Sequence, residues 1–395
     1  MSRDDLRRDA DGMASKLVAW RRHLHQKPEL GFEERETAAF VADRLRALGL
    51  EVHTGIAHTG VVGILRASKA RGPAVLLRAD MDALPIQEVE GREYGSRIEG
   101  KMHACGHDGH VAMLLGAATL LKDRANLLGR DVVFCFQPAE EGMGGAEKMI
   151  EEGVLDLVET GSAFGLHLWT GNEVGSVLVR PGPAMAAQNE FAARIVGRGG
   201  HGAIPQATID PIVAAAQAVT ALQSIVSRNV DPVETAVVTV GSLHAGSAHN
   251  VIPDDARLQG TLRSFSEEVR DLLKRRLREV LENSAAAAGC RLELELTDGY
   301  PAVVNDPGAV RQVRSAAGEV FGEDNVIEPP PIAAAEDFAY FLRERPGAFV
   351  FVGAANSAKG IDAPHHSPRF DIDEAALPRG VELLVRLALE ADAPR

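Results

Sequence analysis

Four short, almost unbroken apolar runs constrain this chain most: Val61–Leu65, Ala74–Ala79, Val132–Phe136 and Ser162–Leu168. A strand with one wet face alternates polar and apolar residues, whereas a continuous apolar run is covered on both sides. Helical periodicity lies around them. It runs from Leu6 to His25, ending near Lys27-Pro28, then over about Glu33–Leu48, closing at Gly49, and over about Gly109–Lys122. Buried strands separated by helices predict an α/β domain, a mostly parallel sheet with helices on both faces.

The texture changes near Pro181-Gly182-Pro183. A strand at Phe191–Val196 is followed by an Ala-rich helix over about Pro211–Ser227 and strands at Ala236–Val240 and Ala256–Leu262. The charged helix Glu267–Ala287 and the strand Arg291–Leu296 complete the block. This is the split βαβ pattern of a ferredoxin-like α+β sandwich. After Tyr300 the α/β texture returns, with a helix from Asp306, a strand at Ala348–Val352 and a last helix from about Asp373. With 395 residues, more than one hydrophobic core usually serves, the expectation is a discontinuous domain, 1–186 and 300–395, interrupted by a smaller one, 187–299.

Charge and composition exclude several classes. A net charge of −14, from 56 acids against 42 bases, argues against a nucleic-acid partner, which clustered Lys and Arg would attract. The longest apolar runs, such as Val111–Leu121, fall short of the ~20 residues that span a bilayer, so no membrane partner is expected. The charged start, Met1–Asp5, has no apolar h-region, and the three cysteines (Cys105, Cys135, Cys290) are too few and scattered for a disulfide framework. The expectation is a reduced, cytoplasmic enzyme.

Histidines beside Cys, Asp or Glu at strand ends carry the chemistry. In Met102–Asp108, Cys105 and His107 flank one glycine. On an extended backbone the i, i+2 spacing puts both on one side, able to converge on one or two ions, zinc above all; the alternative is a hydrogen-bonded loop histidine beside a buried thiol. Asp80 and Asp82 end a strand, where a carboxylate can orient a ligating imidazole or simply cap a turn. Glu140 and Glu141 follow another strand. If their side chains point apart, one can bind metal while the other takes a proton from water; the alternative is an exposed acidic turn. His167 sits inside an apolar run, as a core residue or a ligand, and Pro364–Pro368 offers His365 and His366. The run Gly197–Gly202 satisfies G-x-G-x-x-G, but no helix opens there and the position 20 residues on is Leu222, so no dinucleotide site is expected.

Arg78–Pro85, Met102–Asp108, Gln137–Glu141, Gly199–Gly202, Asn250–Asp254 and His366–Pro368 occur in order along nearly the whole chain. The series resembles the M20 metallopeptidases, specifically the amidohydrolase subfamily of hippurate, N-acyl-amino-acid and auxin-conjugate hydrolases. That resemblance implies a zinc-peptidase-like α/β domain with an inserted ferredoxin-like lid that also serves homodimers or higher homo-oligomers. It implies two divalent metal ions, zinc first with manganese or cobalt as alternatives, held by Cys105, His107, Glu141, His167 and His366. Glu140 would be general base and Asp82 would orient a ligand. His201 would stabilise the oxyanion, within its chain or across a dimer, while Asn250 and Arg263 would hold the substrate's carboxylate. The implied activity is hydrolysis of the amide bond in small-molecule N-acyl amino acids, with a metallo-carboxypeptidase or dipeptidase as the alternative.

Overall fold

The computed structural model describes residues 3–390. The chain divides into two compact units. The first runs to Gly182 and returns over Val304–Pro330 and from Asp337 onward; the second is Pro183–Val303 with Pro331–Glu336. The joints lie within four residues of the expected ones, and the short return at 331–336 has no signal in the sequence pattern.

The first unit opens with helices α1 (Arg3–Gly12), α2 (Ala14–His25) and α3 (Arg35–Ala47). The single helix expected over Leu6–His25 is broken at Met13. Gly12 costs a helix about 0.8–1.0 kcal/mol relative to Ala, and the break lets Met13 enter the core. Strands β1 (Glu51–Ile56), β2 (Gly60–Leu65) and β3 (Ala74–Asp80) follow, then α4 (His107–Lys122), β4 (Val132–Gln137), α5 (Gly145–Glu151), β5 (Thr160–Glu173) and β6 (Val177–Leu178). The strand β1 escapes the sequence pattern because it is a half-exposed edge, Glu-Val-His-Thr-Gly-Ile, with no apolar run.

The second unit contains β7 (Ala187–Val196), α6 (Pro211–Asn229), β8 (Ala236–Ala245), β9 (Asp255–Ser264), α7 (Glu267–Ala287) and β10 (Arg291–Asp298). Its sheet runs β8-β9-β7-β10, antiparallel throughout, the order of a ferredoxin-like sandwich. Asp210 caps α6, accepting from the Ile212 amide at 2.9 Å, with Pro211 in the first turn; Ser266 caps α7. The two helices bury Leu222, Ile225, Leu273 and Leu277 against Phe191, Ile195 and Leu258.

The chain returns through α8 (Pro307–Phe321), β11 (Val326–Ile327), α9 (Ala339–Glu344), β12 (Gly347–Ala355) and α10 (Ala376–Glu390). The first unit's sheet has the order β1-β2-β4-β3-β5-β12-β6-β11, with β4, β3, β5 and β12 mutually parallel. Every residue of β3 and β4 is buried, so both faces are covered. Helix α4 is apolar nearly all round and almost entirely buried, as a helix enclosed by others must be. Among the described residues no helix is long and apolar enough to cross a membrane.

Candidate metal centre

The carboxyl ends of three parallel strands converge with the start of one helix, the edge where open α/β sheets place ligand sites. β3 ends in Asp80 and leads to Asp82, β4 leads into Glu140 and Glu141, β5 carries His167, and α4 begins at His107. Cys105, His107 and His167 offer ligand atoms within 4.8 Å of one another. So do Cys105, Glu141 and His366, and likewise His107, Glu140 and Glu141. The five candidate ligands and the candidate base thus lie in one cluster.

The convergence is built differently from what an extended backbone would give. Gly106 takes a left-handed φ of 90° and His107 is the first residue of α4. Glycine adopts that φ without steric cost, and the turn carries Cys105 back beside the helix's first side chain. Nor do Glu140 and Glu141 point apart. Ala139 has φ 55°, the extended path ends, and both carboxylates come to His107. A left-handed backbone costs a residue with a Cβ about 1–3 kcal/mol, and both Ala139 and His366 (φ 61°) bear it here.

Hydrogen bonds set the imidazoles' faces. His167 Nδ1 donates to the Leu168 carbonyl at 2.7 Å, leaving Nε2 3.5 Å from Cys105 Sγ. Burial and the neighbouring imidazoles hold His167 well below its ordinary value, so it is a neutral donor of a lone pair. His107 Nδ1 lies 2.9 Å from the main-chain carbonyl of Asp82 and 3.3 Å from its carboxylate. The orienting bond expected of the Asp82 side chain is thus made by its backbone, while the carboxylate accepts from the Glu141 amide at 3.0 Å. His366 Nε2 stands 3.3 Å from Glu141 Oε1. Its neighbour His365 borders the cluster, accepting from the Thr170 amide at Nε2, stacking on Trp169 at 4.6 Å and holding Nδ1 3.7 Å from Cys105 Sγ.

The cluster calls for a cation. His107 Nε2 is buried without a hydrogen-bond partner, 3.9 Å from Glu141 Oε1. Burial alone would lower His107, yet Asp80, Asp82 and Glu141 raise it to about 10. Burial, reinforced by Glu141, Glu140 and Asp80, pushes the Cys105 thiol well above its ordinary value. A divalent ion would supply the positive charge these groups otherwise take from protons, and thiol, imidazole and carboxylate together form a donor set suited to one.

Two further residues stand behind the cluster: His110, outside the sequence-based set, and Asp80, named there as a strand-end carboxylate. Asp80 accepts from Arg78 at 2.6 Å and pairs with His110 Nδ1 at 2.6 Å; the other nitrogen of His110 accepts from the Leu168 amide. Burial would raise Asp80, but His107, His110 and Arg78 outweigh it and hold the carboxyl well below the usual range. Asp80 thereby ties α4 to β3 and β5 just behind His107. The available signal was the i, i+3 spacing of His107 and His110, legible only once the helix is started at His107 rather than Gly109.

The remaining candidates belong to the second unit. His201 and Asn250 are exposed at a two-residue pairing, Gly200–His201 with Val251–Ile252, where the Gly202 amide donates to the Asn250 carbonyl. Arg263 is half-buried near the far end of β9 and donates to the Leu262 carbonyl. Arg263 lies eight positions along the extended strand from Asp255, roughly 26 Å at 3.3 Å per residue, so it does not meet His201 and Asn250 within this unit. The glycine run at Gly197–Gly202 opens no helix. An added Cβ at Gly199 would lie 2.5 Å from the Ile252 carbonyl oxygen, so the glycines serve close backbone approach.

Residues 76–390 match the model of Peptidase family M20/M25/M40. Over 376 residues, 94% of this chain and 84% of the relative, the sequence is 43% identical to IAA-amino acid hydrolase ILR1-like 4 of Arabidopsis thaliana. It is 44% identical over 365 residues (92% and 85%) to N-acetyl-L-cysteine deacetylase of Bacillus subtilis. It is also 40% identical over 391 residues (98% of each) to thermostable carboxypeptidase 2 of Saccharolobus solfataricus. Among solved structures, the Bacillus subtilis YXEP protein, described as a dinuclear metal binding peptidase from the M20 family, superposes with a TM-score of 0.84. That match has 34% identity and covers 96% of this chain and 99% of that one.

Proposed function

The chain belongs to Peptidase family M20/M25/M40, and from that premise we propose that it is a metal-dependent amidohydrolase cleaving the amide bond of N-acyl amino acids. One observation carries the reading: a thiol, imidazoles and carboxylates gather at one sheet edge, with His107 Nε2 buried there without a hydrogen-bond partner. The relatives named for IAA-amino acid hydrolysis and N-acetylcysteine deacetylation support the substrate class, an amide between an acyl group and an amino acid.

Cys105, His107, Glu141, His167 and His366 would hold two divalent ions, as the dinuclear solved relative suggests. The thiolate favours zinc; manganese and cobalt suit the mixed N/O donors. When bound, such ions polarise a carbonyl and acidify water. Glu140 takes the proton of the attacking water and passes it to the departing nitrogen. Asp82 holds His107 and Glu141 in place through its carbonyl and carboxylate. Arg263 suits the substrate's carboxylate, which a guanidinium can grip bidentately. Asn250 joins Arg263 as a group for the substrate's carboxylate, and His201 is assigned to the developing oxyanion; His201 and Asn250 lie together in the second unit. Their separation from Arg263 along β9 favours a homodimer in which a second copy completes the site through the second unit, the lid of this reading.

A carboxypeptidase reading has two thermostable carboxypeptidases of Saccharolobus solfataricus in its favour, each 40% identical to this chain. It concerns the same bond, because the C-terminal residue of a peptide is itself an N-acyl amino acid; the two differ only in the acyl part accepted. Metal analysis, reconstitution with Zn²⁺, Mn²⁺ and Co²⁺, and a panel of benzoyl-glycine, acetyl-amino acids and unblocked short peptides test the assignment. Glu140→Gln should retain metal and lose about 10²–10⁴-fold in kcat. A metal-loaded variant with wild-type turnover would remove Glu140 from the mechanism.

A further inference from the structure

We propose that Glu34 is a positioning residue for the metal centre: through Thr59 and Ala139 it fixes the left-handed turn that brings Glu140 and Glu141 together. Five non-glycine residues among those described have left-handed φ, and one of them, His366, is in the metal cluster itself. The other four, Phe32, Ala57, His58 and Ala139, belong to three loops that meet at Glu34. Its side chain is fully buried and forms no ion pair with Lys or Arg among the described residues. Oε2 accepts from the Thr59 hydroxyl at 2.5 Å and Oε1 from the Ala139 amide at 2.9 Å.

The surrounding loops are packed to match. The Phe32 ring meets His58 edge-on at 5.1 Å, and the Ala57 amide is held by Glu152 at 2.7 Å. A Cβ at Gly31 would lie 3.1 Å from Ala139 Cα, so this loop sits directly against the strained turn. Burial pushes the Glu34 carboxyl up to about 7. A lone buried acid is expensive to keep, and what it does here is accept two hydrogen bonds from two loops. One of them comes from the residue immediately before Glu140. Clustered left-handed residues that the surrounding structure over-determines mark places where geometry is held for function.

The proposal rests on the metal-dependent reading above, but its first two tests need no substrate. Amide exchange over residues 139–145 of the metal-free protein and Zn²⁺ affinity by calorimetry are compared for wild type, Glu34→Gln, Glu34→Ala and Thr59→Val. The kcat and KM on whichever N-acyl amino acid the wild type cleaves are then added. Glutamine can accept from Ala139 and donate to Thr59, so Glu34→Gln should match wild type within about threefold throughout. Glu34→Ala and Thr59→Val should speed exchange over 139–145, leave α10 protected, and weaken Zn²⁺ about 10–100-fold, as loss of groups supporting metal ligands does. Their kcat should fall with KM little changed. Glu34→Gln behaving like Glu34→Ala, or a folded Glu34→Ala with wild-type exchange and Zn²⁺ affinity, overturns the proposal. If Glu34→Ala does not fold, Thr59→Val decides alone, and wild-type values there overturn it. A wild type that cleaves no amide removes the functional reading, while exchange and Zn²⁺ affinity still decide the role of Glu34.

Discussion

In the first unit β3 buries all seven of its residues, Arg78 and Asp80 included, whereas in the second β7 buries every other one and turns Glu190 and Arg194 outward. Both strands sit inside a hydrogen-bonded sheet, yet charge means different things in them. Arg78 is enclosed by Asp80, Asp337 and Gln137 at 2.6–3.0 Å. Arg194 meets Asp255 and Glu293 where water competes. A buried charge has to be answered by a fixed partner, so the first sheet's edge becomes a place where carboxylates, imidazoles and a thiol are held in set positions. The second unit's candidate groups His201 and Asn250 are exposed instead.

Substitutions at the two places sharpen this contrast. Arg78→Leu should have the largest effect, about 3–5 kcal/mol of stability, because it leaves Asp80 and Asp337 buried without their cation; thermal unfolding measures it, and an unchanged melting temperature would break the comparison. His201→Ala should cost about 10²–10³-fold in kcat, the range for loss of an oxyanion donor, with metal content and melting temperature unchanged. Loss of metal in that variant would move His201 into the other class.

Acid should separate the units more gently. Burial alone would raise Asp108 and Asp371, but Arg21 reverses the effect and holds both carboxyls below their ordinary value. The unfolded chain takes up protons near pH 3.9 while the folded form remains ionised, so their stabilisation is present above that value and lost as pH falls below it. Amide exchange in α2 and α4 should therefore accelerate relative to α6 and α7 between about pH 5 and pH 3. Equal acceleration in both would show that the buried pairs do not dominate. Arg194→Ala should do least, with no measurable change in melting temperature, since solvent-exposed ion pairs contribute little.

Much of the centre was legible because ligand chemistry is local. Cys105 and His107 around Gly106, Glu140 beside Glu141, and His167 inside an apolar run offer donor types, each with a plainer alternative, and the resemblance of the ordered motifs to the M20 metallopeptidases chose the ligand reading among them. His110 was not legible, because it needs the start of α4, and which partners the strand-end carboxylate of Asp80 serves depends on neighbours from three elements. Glu34 was invisible. It lies over a hundred residues from Ala139, and nothing near it in the chain marks it as more than a helix-start acid.

The sequence by itself determined the alternation of helices and buried strands, the ferredoxin-like insertion and the kinds of donor available, since periodicity and side-chain chemistry act over a few residues. Only the tertiary structure decided that Cys105, His107, Glu141, His167 and His366 meet, and that Ala139 is bent to make them do so. Convergence depends on strand order and on backbone φ values, and those are fixed by contacts between residues far apart in the chain.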